Sequence, residues 1–304
     1  MSTRRAEQDA GERVTGATMP RLPTGTAEWA DHTLNVARGC SYGCVYCYAR
    51  AEKLRWGQIA RGEDWTNEQI VQKRVDKGYR KRDGTIMFPS AHDITPGTVD
   101  ACCVVLTKLL EAGNRVLVVT KADGPCCQEV RRAIEPWRNA RTDAGATVTW
   151  RLTIGCLDDE LRQVWEPHAP PIDMRLEVLR QLHRDGWETS VSAEPLLEPW
   201  GVVALLRALA PHVTETIWVG CGRQLRQRCA WLGGQRVRDI EHEIEAIEAW
   251  QTPRVIVQLA SAVLAEGVRT GGGIYGRIRF KDSWAEALRT CGWQVEHGRL
   301  IARV

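Results

Sequence analysis

Three cysteines within eight residues, Cys40, Cys44 and Cys47, are the side chains of this sequence best placed by spacing to do chemistry. Thiolates are soft ligands that select zinc or iron–sulfur clusters. Gly39 and Gly43 stand immediately before two of the cysteines, and glycine permits the backbone turns that wrap neighbouring sulfurs around one metal centre. A structural zinc site takes four protein ligands. No second close Cys-x-x-Cys or Cys/His pair completes such a set, although Cys102-Cys103 and Cys126-Cys127 remain as sources of a fourth sulfur. Three ligands on a four-iron cluster leave one iron open, as a catalytic centre requires. The chain holds eleven cysteines and opens on a polar, charged segment rather than an apolar export signal. They are therefore read as reduced thiols in a cytoplasmic protein and not as a disulfide framework.

The elements that must position this loop read as strands alternating with helices. Apolar, β-branched runs at Thr33–Ala37, Thr85–Phe88, Arg115–Thr120, Thr147–Ile154, Glu188–Ala193 and Thr216–Gly220 predict six strands. Amphipathic stretches near Ala49–Ile59, Thr98–Ala112, Cys126–Ala140, Asp173–Asp185 and Trp200–Ala210 predict the helices between them. Such alternation predicts a parallel sheet with right-handed crossovers. Periodicity fits a doubly wound sheet as well as a partial barrel. Beyond Gly233 the pattern changes to a charged helix over Val237–Trp250, an apolar piece at Val255–Leu264 and the glycine run Gly271-Gly272-Gly273. A strand at Tyr275–Phe280, a helix at Ser283–Thr290 and a short terminal strand pair follow. The organisation expected is a mobile tail over residues 1–30, a core over 31–233 and a C-terminal extension over 234–304.

A hydrophobic share of 43% and a charged share of 26% are those of an ordinary globular chain. No run of 18 apolar residues occurs, so no membrane span is expected. The net charge of +3, from 41 basic and 38 acidic residues, is too balanced to argue by itself for a nucleic-acid partner. Two local basic stretches stand out, Lys73–Arg82 and Arg223–Arg228. Thirteen tryptophans against two phenylalanines is an unusual ratio, for which core packing is the default explanation.

The cysteine spacing Cys-x3-Cys-x2-Cys, with the aromatic Tyr46 before the last cysteine, resembles the signature of the radical S-adenosylmethionine superfamily. The likeness continues in Val118-Val119-Thr120-Lys121 and in Leu157-Asp158-Asp159-Glu160. It continues again in Glu166-Pro167-His168-Ala169-Pro170, in Arg175-Leu176-Glu177, and in Leu182 and Gly186. These runs look like the spore photoproduct lyase-like branch, over about Thr33 to Gly222. The resemblance implies an α/β fold, a partial (β/α)6 TIM-like barrel carrying the small C-terminal α+β extension. It also implies a [4Fe–4S] cluster on Cys40, Cys44 and Cys47. The open iron would bind S-adenosyl-L-methionine, whose reductive cleavage gives a 5′-deoxyadenosyl radical that takes hydrogen from a substrate.

The resemblance also implies where the cofactor is held. Ser90, His92 and Asp93 follow the second strand, where relatives contact the methionine amino group. Lys121 matches a lysine for the methionine carboxylate, and Thr153 matches a hydroxyl residue of the same pocket. Tyr46 would serve the adenine pocket, chiefly through its backbone, with Arg175 and Glu194 as further contacts. One departure stands against repair of a thymine dimer: the branch's hydrogen-donating cysteine after the second strand is replaced here by Ser90 in Phe88-Pro89-Ser90. Cys156 and Cys221 follow predicted strands, which would bring them to the barrel mouth. The partners implied are an electron donor such as flavodoxin or ferredoxin and a substrate that is DNA, RNA or a nucleotide. Radical modification of a peptide or small metabolite is the alternative, and a non-catalytic iron–sulfur or zinc module is the third.

Overall fold

The computed structural model describes residues 24–60, 64–138, 146–230, 240–270, 273 and 275–303. The expected N-terminal tail up to residue 23 lies outside the described residues. So do the helix end at 139–140, the first residues of the charged helix at 237–239 and Gly271-Gly272 of the glycine run.

Runs of β-branched and apolar residues form a sheet buried on both faces, the habit of parallel strands covered by helices. Its strands are β1 (His32–Thr33), β4 (Thr85–Phe88), β5 (Arg115–Thr120), β6 (Thr147–Thr153), β7 (Glu188–Ala193), β8 (Ile217–Val219) and β9 (Ile278–Phe280). They are ordered as in the sequence, and every neighbouring pair is parallel. Among the described residues this is a curled half-barrel of seven strands with β1 and β9 at its edges. The α/β, partial TIM-like barrel expected from the resemblance is thus the observed fold.

Helices α3 (Val99–Glu111), α4 (Gly124–Ile134), α5 (Asp159–Trp165), α6 (Ile172–Arg184) and α7 (Val202–Leu209) lie between these strands in the chain. In α3 the buried residues Cys102, Val105, Leu106, Leu109 and Leu110 recur three and four apart, so one face turns to the core. Asp123 caps α4 by accepting from the Cys126 amide, and Asp158 caps α5 in the same way. Much of the tryptophan content is packing: Trp150, Trp165, Trp187 and Trp284 are fully buried, and Trp150 meets Trp187 edge-on at 6.1 Å.

Two expectations change. The run Thr33–Ala37 does not make one strand. It splits into β1 and β2 (Ala37–Arg38), and β2 pairs antiparallel with β3 (Gln69–Ile70). Asn35 sits at the break, where its Oδ1 accepts from the amides of Ser90 (2.8 Å) and Ala91 (2.6 Å) and turns the chain away from the sheet. The C-terminal stretch does not stand apart from the sheet either, because β9 pairs with β8 and completes its edge. Around it lie α9 (Glu241–Trp250), α10 (Pro253–Arg269), which contains the apolar piece at Val255–Leu264, and α11 (Asp282–Thr290). A hairpin of β10 (Trp293–Glu296) and β11 (Arg299–Arg303) ends the described chain.

Candidate functional site

The three cysteines lie between β2 and α1 (Tyr48–Arg55). Gly39 has φ +82°, and a Cβ there would stand 2.5 Å from the Asn67 carbonyl oxygen, so the chain passes only as glycine. The loop is tied down by backbone bonds from Cys40 N–H to the Trp65 carbonyl and from Val45 N–H to the Trp165 carbonyl, each 2.8 Å. Glu68 adds a side-chain clamp, accepting from the Ser41 amide (2.8 Å) and from Thr95 Oγ1 (2.7 Å). Cys47 caps α1, its Sγ accepting from the Arg50 amide at 3.5 Å. That sulfur therefore faces the positive end of the helix.

All three thiols line one cavity of about 460 Å³. Burial pushes the Cys40 thiol well above its ordinary range and raises Cys47, while Cys44 is pushed up to about 12 although Lys121 pulls it down. Thiols of this kind ionise when they meet positive charge, above all a metal. Three soft sulfurs from one loop around one cavity are a donor set that fits an iron–sulfur cluster. Among the described residues no three His, Cys, Asp or Glu side chains converge on a single ion. Ligands of a multi-iron cluster have no need to converge, since each holds its own iron.

Strand ends supply the other walls. Met87, Val119, Thr153 and Ser192 point inward from β4 to β7, and Pro89, Lys121, Glu194 and Cys221 follow just beyond the strands. The alternation is that of pleated strands, in which every second residue faces the same side. The Asp93 carboxylate links two of these ends. Its Oδ1 accepts from Thr120 Oγ1 (2.5 Å), the Ile94 amide (2.8 Å) and the Lys121 amide (3.1 Å). Its Oδ2 stands 3.2 Å from the same Lys121 amide and 4.0 Å from Lys121 Nζ. Burial works against the Lys121 charge, yet Cys44, Glu166 and Asp93 raise its pKa overall, so it stays an ammonium.

Ser90 accepts at Oγ from Asn35 Nδ2 (2.9 Å) and keeps its hydroxyl proton to donate, while its carbonyl accepts from Tyr48. His92 borders the cavity, but both its nitrogens are engaged. Nε2 accepts from the Val36 amide (3.0 Å), which leaves the proton on Nδ1 to donate to the Asp93 carbonyl (2.8 Å). Burial lowers its pKa and keeps it neutral. His92 therefore fixes the loop after β4 and has no nitrogen left for a ligand.

Arg175, expected from the sequence to contact a cofactor, is corrected by its position. It is fully buried, is absent from the cavity wall, and bonds Glu166 Oε2 (2.5 Å), the Pro170 carbonyl (2.8 Å) and the Thr153 carbonyl (3.1 Å). The Tyr46 hydroxyl donates to the other oxygen of Glu166. Tyr46, Glu166 and Arg175 thus form a buried brace behind the cysteine loop. Thr153 and Glu194 do line the cavity, and Glu194 pairs with Lys281 Nζ at 3.6 Å. Cys221 lines it too, whereas Cys156 is buried and donates to the Asp158 carbonyl.

Several wall residues carry no local sequence signal. Lys281, just after β9, is 1% exposed. It pairs with Glu28 (2.9 Å), donates to the Gly25 carbonyl (2.7 Å) and lies 4.1 Å over the Trp29 ring. Beneath the wall, Arg151 of β6 stacks against Trp29 (4.8 Å) and Trp218 (5.8 Å), and burial lowers its pKa to about 9. The segment around the 3₁₀ turn Gly25–Glu28 therefore bridges the two edges of the half-barrel, from just before β1 to just after β9. Arg228, near the end of α8 (Leu225–Cys229), also lines the cavity, within electrostatic reach of Glu194, Cys47 and Glu52. Only its neighbours Arg223 and Arg226 could have marked it in the sequence.

No family model matches the chain. Over 183 residues it is 25% identical to the uncharacterized protein ORF301 of Acidianus two-tailed virus, a match covering 56% of this chain and 56% of ORF301. The crystal structure of SuiB from Streptococcus suis is similar in fold, with a TM-score of 0.52 at 10% identity over 85% of this chain and 50% of SuiB. A second SuiB structure, bound to S-adenosylmethionine, gives a TM-score of 0.47 at 10% identity over 81% of this chain and 45% of SuiB. The chain spans about half the length of these relatives. No helix among the described residues is long and apolar enough to cross a membrane.

Proposed function

We propose that this chain is a radical S-adenosylmethionine enzyme, with a [4Fe–4S] cluster on Cys40, Cys44 and Cys47 and the cofactor in the cavity they line. One observation carries the reading. The three loop cysteines and the strand-end groups of Ser90, Asp93, Lys121, Thr153 and Glu194 meet in a single cavity at the C-terminal mouth of a parallel half-barrel. That is the end at which barrel active sites are built. When bound and reduced, cluster and cofactor supply a 5′-deoxyadenosyl radical able to abstract hydrogen from a substrate.

The chain's own part is to hold, orient and keep dry. Lys121 suits a carboxylate such as that of methionine, because its approach to Asp93 is a long 4.0 Å and leaves the ammonium accessible from the cavity. Asp93 Oδ2 and the Thr153 hydroxyl are acceptors for an amino group, and Ser90 offers a hydroxyl proton. Tyr46 presents its backbone beside Cys47 while its ring is braced by Glu166. Reducing equivalents would come from a flavodoxin- or ferredoxin-type donor.

The motif run from Val118 to Gly186 supports a place in the spore photoproduct lyase-like branch, and hence a base or nucleotide as substrate. Two observations favour a substrate of nucleotide size over a long nucleic acid. Arg223 and Arg226 of one basic stretch are neutralised by carboxylates of α9 and α11. The other stretch ends at Arg82, whose amide bonds Asn114 beside the first residue of β5. The six-residue strand β5 separates that point from the mouth by about 20 Å. The same observations support the second reading, radical modification of a small metabolite or peptide.

The test is made on anaerobically reconstituted protein with dithionite and S-adenosylmethionine, following 5′-deoxyadenosine by chromatography. Wild type should release it and Cys44→Ala should not. Zinc in place of iron, or a fully loaded four-iron protein that gives no 5′-deoxyadenosine with any candidate substrate, would sink the reading in favour of a non-catalytic metal module.

A further inference from the structure

Of the three arginines in Arg223–Arg228, two are spent outside the cavity. Arg223 pairs with Asp282 (3.2 Å) and Glu286 (3.4 Å). Arg226 bridges Glu241, Glu245 (3.9 Å) and Glu248 (2.9 Å). The third, Arg228, is partly buried and lines the cavity, and its guanidinium has neither a hydrogen bond nor an ion pair among the described residues, Glu194 and Glu52 acting on it only from a greater distance. Of the other cavity cations, Lys121 stands 4.0 Å from Asp93 beside the cysteine loop, and Lys281 is engaged by Glu28 and Glu194. Glu194 and Glu52 are the carboxylates on Arg228's side of the cavity. Glu194 is tied to Lys281, and Glu52 lies on the exposed face of α1 without closing an ion pair to Arg228.

A guanidinium held in a partly buried wall without a carboxylate retains its five donors for a ligand. Its planar fork matches phosphate and carboxylate oxygens two at a time. We infer that Arg228 is a specificity determinant of this cavity and that the substrate carries an oxyanion, a phosphate or a carboxylate, which Arg228 binds. Lys121, at the end of β5, remains for the carboxylate of the cofactor, so the two cations divide two anions between them. The inference rests on the cavity being the active site, as proposed above. It explains how a chain of nearly balanced charge selects an anionic substrate: one of its basic residues faces inward while the neighbouring arginines are neutralised.

The experiment uses the full chain, without cluster for the small anions and reconstituted with its four-iron cluster for S-adenosylmethionine, so that its outcome does not depend on turnover. Binding of inorganic phosphate, of acetate and of S-adenosylmethionine is measured by calorimetry on wild type, Arg228→Gln, Arg228→Lys and Arg226→Gln. Saturable binding of phosphate or acetate should weaken at least tenfold in Arg228→Gln, recover in part in Arg228→Lys, and stay within twofold of wild type in Arg226→Gln. Tighter phosphate marks a phosphoester substrate and tighter acetate a carboxylate. S-Adenosylmethionine affinity should stay within twofold in Arg228→Gln. If that variant instead loses the cofactor and keeps the small anions, Arg228 belongs to the cofactor site and the inference is overturned. Equal anion binding in all four proteins overturns it as well. A wild type that binds the anions through Arg228 but never binds S-adenosylmethionine leaves the subsite standing and removes the radical reading.

Discussion

Two buried ion-pair systems flank the cavity, and they are built in opposite ways. Behind the cysteine loop, Glu166 and Arg175 are 2% and 0% exposed, stand nine positions apart in the sequence, and serve Tyr46 with the same carboxylate. On the far wall, Lys281 is shared between Glu28 and Glu194, and it joins residues more than 250 positions apart. The electrostatics follow the stoichiometry. Burial works to raise the Glu166 pKa, but Arg175, Lys121 and the Tyr46 hydroxyl bring it below its ordinary value. For Glu28 and Glu194 burial outweighs the single ammonium they share, and both are raised. A fully compensated pair is a scaffold part. An under-compensated pair at a cavity wall has a carboxylate still able to answer a ligand, and Glu194 is the one that faces the cavity.

The contrast can be broken most directly at Arg175. Arg175→Met strands the buried Glu166 charge, and removing one partner of such a pair costs about 3–5 kcal/mol. The loss should be read from the denaturant midpoint, with iron content falling in parallel as Tyr46 loses its brace. A loss of less than about 1 kcal/mol, within the range of exposed pairs, would show that the pair is not the scaffold it looks like. Lys281→Met should cost less, about 3 kcal/mol at the low end of the same range, because Glu194 keeps some contact with solvent. Its distinctive mark is early proteolytic cleavage near Gly25–Glu28, which Arg175→Met should not share.

The smallest effect, and the sharpest, is in pH. A carboxylate with a raised native pKa opposes folding when ionised, so the stability lost through Glu28 and Glu194 returns as pH falls through their native values toward 4.5, the ordinary value. A lowered carboxylate does the reverse: the Glu166 contribution is complete above 4.5 and is lost as pH falls through its native value. Glu194→Gln should therefore gain on wild type near neutral pH and lose that advantage on mild acidification. Glu166→Gln should be weaker than wild type at neutral pH and approach it only below about 4.5. Parallel pH curves for the two variants would erase the distinction.

What could be read in the sequence divides along the same line. Strands β4 and β5 begin and end where their β-branched, apolar runs do, because a strand buried on both faces writes its length directly into composition. The cysteine loop was legible because its three thiols fall within eight residues of chain. Lys121, Thr153 and Glu194 could be found as the residues at strand ends. Arg175 was misplaced because its partner Glu166 decides whether it faces the cavity or the core, and nothing local reports that pairing. His92 was misjudged for the same kind of reason, since the amide that occupies its Nε2 belongs to Val36, 56 positions away. Lys281, Trp29 and Glu28 left no trace, for their roles exist only once the two edges of the sheet meet. The break in Thr33–Ala37 was equally invisible, being imposed by amides of a loop after β4.

That meeting of edges has a consequence for the order in which the protein is made. Among the described residues Lys281 is the last in the chain to reach the cavity wall, and what it takes hold of is the Gly25–Glu28 segment, made long before it. The cysteine loop and the strand-end groups up to Glu194 are all delivered before it. Until that lysine is in place the nascent half-barrel is a trough open along one side, and the late contacts of Lys281 and Asp282 with Gly25–Glu28 tie its two edges together.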